Sequence, residues 1–336
     1  MSLQRCLMPD FSCIYVEKGI RHHFRTEEIL KHFPGAEVIE INAYEDIFNR
    51  SRQSYLLQQK SRALILAEHR GQLVYQGSPV CQSFDQNYFY YTSSIMNCLY
   101  DCSYCWLKGL YQSAAVVIFV NLEDTFHEVE KMLEEHPVYL CVSYDTDLLG
   151  MESICHYVSA WCEFACMHDN LSVEIRSKGG VLPACLSVCE RTILAVTVSP
   201  ERACRDYEPG APSLEKRIAL LQEGMKRGMP VRLCFDPVLV YPGWQKENEA
   251  LLQRLNEEID FSQVRDVSLG TFRLSASYMK KMRKEDPSSV ILQYPYVCTD
   301  GFYHLEDEKE KETEETMLAM ISQYINKEKV FLWRSL

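Results

Sequence analysis

The chain has 336 residues, 47% of them hydrophobic, enough for one large α/β domain or two smaller units with full cores. A net charge of −12, from 35 Lys and Arg against 47 Asp and Glu, argues against generic binding to a polyanion; a nucleic-acid site would have to be a local basic groove. No run of apolar residues is long enough to span a membrane, the N-terminus lacks the basic-then-apolar pattern of a secretory signal, and 15 cysteines without export point to thiols or metal in a reducing, cytoplasmic setting.

Residues 1–85 read as a small α/β lead-in. Strands are expected at Phe11–Val16, Glu37–Ile41 and Leu64–Ala67. A helix is expected over Arg25–Lys31, with Thr26 as its cap and Phe33-Pro34-Gly35 as its breaker. This region is either a flavodoxin-like fragment or a cap on the main domain. Asn49-Arg50-Ser51-Arg52 carries local positive charge.

From Tyr88 onward strands and helices alternate. The expected strands are Tyr88–Ser93, Val116–Val120, Val138–Val142, Leu171–Ile175, Thr192–Val198 and Val231–Phe235. Val116–Val120 is continuously apolar, as a strand buried on both faces would be. Helices are expected over Glu123–Glu135, Ser153–Cys166, Leu182–Val188 and Ser213–Arg227, the last with Ser213 as its cap and Ile218, Leu221 and Met225 inward. This alternation means parallel βαβ units. Six of them within residues 86–270 make a partial (β/α)6 barrel of TIM type, whose chemistry collects on the loops after the strands' C-terminal ends. A helix at Trp244–Glu258 and a strand at Val264–Leu269 follow. Residues 271–336 read as a hairpin and helix region. Val290–Val297 returns through Asp300-Gly301 to Phe302-Tyr303. The run His304–Thr316, with seven acids and two lysines, is a solvated face leading to a terminal helix, Glu315–Asn326.

The densest signal is Cys98-Leu-Tyr-Asp-Cys102-Ser-Tyr-Cys105-Trp106, three cysteines spaced C-x3-C-x2-C in one short loop. Cys thiolates hold iron–sulfur clusters, and a cubane normally takes four. Three would leave one iron open, and an open position is what separates a catalytic metal site from a structural one. A structural zinc site or buried free thiols are the alternatives, but no second C-x2-C knuckle follows. Cys162/Cys166 and Cys185/Cys189 read as helix-face thiols.

The cysteine spacing resembles the cluster loop of radical S-adenosylmethionine enzymes. Further stretches resemble one branch of that superfamily, the spore photoproduct lyases: Asn49-Arg50-Ser51-Arg52-Gln53, Phe89-Tyr90-Tyr91-Thr92-Ser93, Asp147-Leu-Leu-Gly150-Met-Glu152, Glu208-Pro209-Gly210, Leu214-Glu-Lys216-Arg217-Ile218, Asp236-Pro237 and Pro242-Gly243-Trp244. The resemblance implies a 4Fe-4S cluster on Cys98, Cys102 and Cys105. S-adenosylmethionine would bind the open iron and yield a 5′-deoxyadenosyl radical. The implied reaction returns 5-thyminyl-5,6-dihydrothymine in DNA to two thymines. Its implied partners are damaged DNA and a reducing electron donor such as flavodoxin or ferredoxin.

Contacts to S-adenosylmethionine are expected from strand ends, at Asn121, Thr146, Lys178, Thr197 and Ser199. Lys178 stands out, since a cation there can meet a carboxylate. Two positions depart from the family. Where its best-known members carry a hydrogen-donating cysteine, this chain has Tyr144, so Cys81 or Cys141 is expected to donate instead. Tyr104 fits the first of the family's pair of relay tyrosines, and Trp106 replaces the second. The aromatics Tyr294, Tyr296, Phe302 and Tyr303 would suit holding a lesion open.

Overall fold

A computed structural model of the chain describes residues 10–78 and 81–333. In chain order the strands are β1 (Cys13–Glu17), β2 (Glu37–Ile41), β3 (Leu64–Ala67), β4 (Tyr75–Gln76), β5 (Phe89–Tyr91), β6 (Ile95–Met96), β7 (Val116–Phe119), β8 (Val138–Cys141), β9 (Leu171–Ser177), β10 (Thr192–Thr197), β11 (Val231–Val238), β12 (Val264–Thr271), β13 (Leu274–Ser275), β14 (Val297–Thr299), β15 (Phe302–His304) and β16 (Val330–Leu332).

The main sheet runs β16-β12-β11-β10-β9-β8-β5-β4. Six consecutive members, β5, β8, β9, β10, β11 and β12, are parallel. They curl into the expected (β/α)6 half-barrel, with one change of membership. β7, the apolar run expected as the second barrel strand, instead pairs in parallel with β3 from Leu64↔Val116 to Ala67↔Phe119. β12 fills the sixth barrel place. Both strands are almost wholly buried, so burial alone could not say which sheet each would join.

β7 and β6 belong to a second sheet, ordered β2-β1-β3-β7-β6. Its opening order 2-1-3 is that of flavodoxin-like sheets. The two layers are therefore interleaved. The chain leaves the second sheet for β5, returns for β6 and β7, and leaves again for β8. An N-terminal unit ending at residue 85 does not describe this arrangement.

Four local expectations change. The first helix runs Phe24–Lys31 and is capped by His23, whose ring nitrogen accepts from the Arg25 N–H at 3.3 Å, with Thr26 inside it. The stretch Leu182–Val188 is not helical. The hairpin is β14–β15, with Val297 opposite His304 and residues 290–295 outside the strands. The acidic run lies within the helix Asp307–Ile321, which ends at Ile321 rather than Asn326. Carboxylates at Asp307, Glu308 and Glu310 occupy its first turn, where the helix dipole favours negative charge. Among the described residues no helix is long and apolar enough to cross a membrane.

Candidate active site

The cysteine loop lies where the chain passes from β6 back toward β7, at the joint between the two sheets. Buried Asn97, with φ of 67°, opens it. The Asn97 Nδ2 donates to the carbonyls of Ser113 (2.8 Å) and Ala115 (2.7 Å), which fixes the turn. From the second sheet, Arg62 Nη1 donates to the Cys98 carbonyl at 2.6 Å. From the barrel, the carbonyls of Pro209 and Tyr207 each accept at 2.8 Å, from the N–H groups of Asp101 and Ser103. Tyr100 Oη donates to the Gly179 carbonyl at 2.9 Å. None of these anchoring bonds uses a cysteine sulfur, so the three thiols are left for another task.

Those thiols line a cavity of about 570 Å3 inside the barrel mouth. Burial pushes the Cys98 thiol up to about 12, and burial likewise raises Cys102 and Cys105. Donors that favour a thiolate are already in place: the Tyr100 N–H lies 3.5 Å from the Cys98 sulfur, the Leu107 N–H faces Cys105, and the Lys178 ammonium acts on both Cys102 and Cys105. Lys178 holds its proton strongly; burial would lower its pKa, but Cys102 and Glu208 more than offset this. Its Nζ sits 5.6 Å from the centre of the Tyr104 ring.

Thr146, Lys178 and Thr197 line the same cavity, as do Cys81, Cys141 and Tyr104. The hydroxyls of Ser143 and Thr146 are buried there without a hydrogen-bond partner among the described residues. Buried polar groups are nearly always paired, so two orphans on one wall call for a polar ligand. Three thiols together with these hydroxyls and a lysine fit an iron–sulfur cluster carrying a zwitterionic amino-acid ligand. Among the described residues no three His, Cys, Asp or Glu side chains are grouped so as to hold a single ion.

Two expected contacts lie elsewhere. Asn121 follows β7 in the second sheet and is spent on structure: its Oδ1 accepts from the His69 N–H at 2.7 Å, and its Nδ2 donates to the His69 carbonyl (3.0 Å) and Asp124 (2.7 Å). It went with its strand. Ser199 stands one layer behind the wall and donates to Glu208 at 3.0 Å.

That layer is an ion network. Glu208 is fully buried and accepts from Tyr104 Oη, Ser199 Oγ and Arg217. Burial alone would raise its carboxyl, but Arg217 and Lys178 hold it below the usual carboxylate range. Asp147 accepts from the Lys178 N–H (2.7 Å), Ser177 Oγ (2.8 Å) and the Gly150 N–H (3.1 Å), tying β9 to the turn after β8. Across the cavity Asp236 meets Arg273 at 3.2 Å and Arg176 at 3.7 Å. Sequence reasoning missed Ser143, Arg176 and Arg273. Ser143 lay three residues before an expected contact; the two arginines carried no local signal.

Cys81 and Tyr144 meet, with sulfur and phenol oxygen 3.8 Å apart. Tyr144 stacks on Tyr91 at 3.9 Å and leans on Trp106 at 5.4 Å. Burial raises the thiols of both Cys81 and Cys141, keeping each as S–H.

The family model described as "Spore photoproduct lyase" matches residues 89–330. This chain belongs to the spore photoproduct lyase family. Two curated members of the family are distant relatives. The spore photoproduct lyase of Geobacillus sp. (strain Y412MC61) is 22% identical over 249 residues, covering 68% of this chain and 71% of that protein. The one from Bacillus subtilis (strain 168) is 20% identical over 252 residues, covering 72% of each. Among solved structures, a cysteine-to-serine variant of spore photoproduct lyase superposes with a TM-score of 0.82 at 17% identity, over 97% of this chain and 99% of that one. A spore photoproduct lyase complexed with dinucleoside spore photoproduct gives 0.81 at 18% identity, over 96% and 98%. The half-barrel and its second sheet are thus the fold of the spore photoproduct lyases, kept at 17–18% identity.

Proposed function

We infer that this chain is a radical S-adenosylmethionine lyase that returns the spore photoproduct in DNA to two thymines. The observation that carries this reading is the cavity itself, lined by the three loop thiols, by orphaned hydroxyls and by two further thiols, Cys81 and Cys141, in the spore photoproduct lyase fold. When bound, the cluster and S-adenosylmethionine supply a 5′-deoxyadenosyl radical; the cofactor carries the hard chemistry, and the protein positions it.

Cys98, Cys102 and Cys105 hold the cluster in this reading. Lys178 receives the carboxylate of S-adenosylmethionine, and the hydroxyls of Thr146, Ser143 and Thr197 receive its polar groups. The mouth of the cavity, bounded by Phe272, Ser275, Tyr278 and Phe302, admits a lesion taken out of the helix, which costs least at a site already unstacked. Once the crosslink has opened, a thymine-centred radical needs a hydrogen atom. Cys81 gives it. The sulfur that this chain lacks at Tyr144 is replaced by one resting against the Tyr144 hydroxyl, so the donor has moved across a contact rather than vanished. A thiol must be protonated to donate a hydrogen atom, and burial keeps Cys81 so. Tyr104 has a base at hand for its phenolic proton, the Glu208 carboxylate.

The test is turnover by anaerobically reconstituted protein with dithionite, S-adenosylmethionine and dinucleoside spore photoproduct. Release of the repaired thymidine dinucleotide is the expected result. 5′-Deoxyadenosine without repair would remove the lesion as substrate. Neither product, in protein with its full complement of iron, would remove the radical reaction.

A further inference from the structure

Residues 49–62 carry four cations, Arg50, Arg52, Lys60 and Arg62, and no carboxylate, in a chain of net charge −12. This segment straps the cysteine loop from behind. Arg62 holds the Cys98 carbonyl, Gln59 donates to Asp101, and buried Tyr55 donates to Asn97 Oδ1 at 3.4 Å. None of these residues lines the cavity. The strap therefore covers the face of the loop opposite the lesion. Arg50, Arg52 and Lys60 are exposed, and Leu57, between them in sequence, is 68% exposed, an apolar side chain set among cations. The loop's one carboxylate, Asp101, is occupied by Lys108 and Gln59.

A second basic element packs beside the segment that follows the cysteine loop, with Lys281 donating to the Gly109 carbonyl at 3.3 Å. The helix Ala276–Glu285 exposes Lys280 and Lys284 and contributes Tyr278 to the cavity mouth. A damaged duplex entering this cavity would meet that helix, whereas no residue of the strap lines the cavity.

We propose that residues 49–62 form the docking surface for an acidic one-electron carrier protein of the flavodoxin type. The inference rests on the radical reading above, which requires an electron from outside. The anionic flavin hydroquinone of the carrier would give up one electron and become the neutral semiquinone, and the iron–sulfur cluster that Cys98, Cys102 and Cys105 would hold is reduced by that one electron; no bond is made or broken in either protein. Exposed cations facing an acidic partner raise the association rate and fix orientation, and their effect fades with salt. The strap reaches the backbone of the first cysteine directly, through the hydrogen bond from Arg62 to the Cys98 carbonyl. Leu57 gives such a contact an apolar centre within its charged rim.

The experiment compares wild type with the combined variant Arg50→Glu, Arg52→Glu, Lys60→Glu. Binding of a fluorescently labelled low-potential flavodoxin is titrated at low and high ionic strength, and 5′-deoxyadenosine formation is followed with flavodoxin or with dithionite as reductant. The variant should bind flavodoxin at least about tenfold more weakly at low salt, lose most of the salt dependence, and keep the dithionite-driven rate. The dithionite arm shows that the variant is folded and loaded; failure of that arm in the wild type would count against the radical reading itself. A second variant, Lys280→Glu with Lys284→Glu, should weaken binding of duplex DNA and leave flavodoxin binding intact. Unchanged flavodoxin binding in the strap variant overturns the proposal. So does weaker DNA binding with unchanged flavodoxin binding, which would make the strap a nucleic-acid surface.

Discussion

Replacing Arg217 by Met tests how the cysteine loop is supported. Arg217 and Glu208 are both fully buried and paired, and Glu208 also accepts the Tyr104 hydroxyl. Arg217 further donates to the carbonyls of Pro212 (2.9 Å) and Thr197 (3.2 Å). Met fills much of the same volume and removes the charge. What remains is a buried carboxylate without its contact ion pair, with only Lys178 and the Tyr104 and Ser199 hydroxyls to offset burial, and breaking a buried pair this way costs about 3–5 kcal/mol. Against a total stability of about 5–15 kcal/mol, that is a large fraction. Urea unfolding of the reduced apoprotein, followed by circular dichroism, should show it. Adding Glu208→Gln to Arg217→Met should recover about 2 kcal/mol or more, because the lone charge is then gone. The pH dependence has a definite sign. In the wild type the Glu208 pKa is depressed, so its stabilisation is fully present above its unfolded value of about 4.3 and is lost as pH falls through the lower folded value. In Arg217→Met burial is no longer opposed by Arg217 and the pKa rises. The deficit of the variant should therefore be largest at neutral pH and narrow in acid. A loss below about 1 kcal/mol, or additive single and double variants, would refute the argument.

Gly109→Ala should destabilise by about 1–3 kcal/mol, since the new Cβ would lie 2.3 Å from the Tyr278 Cβ and 2.8 Å from its Cα; thermal unfolding measures it. Cys98→Ala should lose the cluster's visible absorbance and most bound iron after anaerobic reconstitution, and full retention would deny it a ligand role. Cys81→Ala should cut repair of dinucleoside spore photoproduct by about tenfold or more while 5′-deoxyadenosine still forms, with Cys141→Ala close to wild type; chromatography of both products decides between the two thiols. Thr146→Val should weaken S-adenosylmethionine binding by about 1 kcal/mol, measured by equilibrium titration of the loaded protein.

Local patterns carried most of what was readable in the sequence. The cysteine spacing marked the loop, and the alternation of apolar runs with helices gave the count of six parallel strands. The Glu208-Pro209-Gly210 and Asp147–Glu152 stretches could be quoted as signatures, but their work is visible only in three dimensions: one lends the Pro209 carbonyl to the loop, the other fastens Lys178. The assignment of β7 failed because strand pairing is non-local. Val116–Phe119 and Val264–Thr271 are separated by more than a hundred residues and are similarly buried, and only their neighbours tell them apart. Asn121 was misplaced with its strand. Arg176 and Arg273 come together on Asp236 from different strands and loops, a convergence that no spacing in the sequence announces.

The double crossing between the sheets governs the order in which this protein can mature. Arg62 arrives with the first layer, whereas Tyr207 and Pro209 emerge from the ribosome about 145 residues later. Until both have docked, the hydrogen bonds that shape the cysteine loop are incomplete. A truncation that removes either layer should therefore lose bound iron after anaerobic reconstitution.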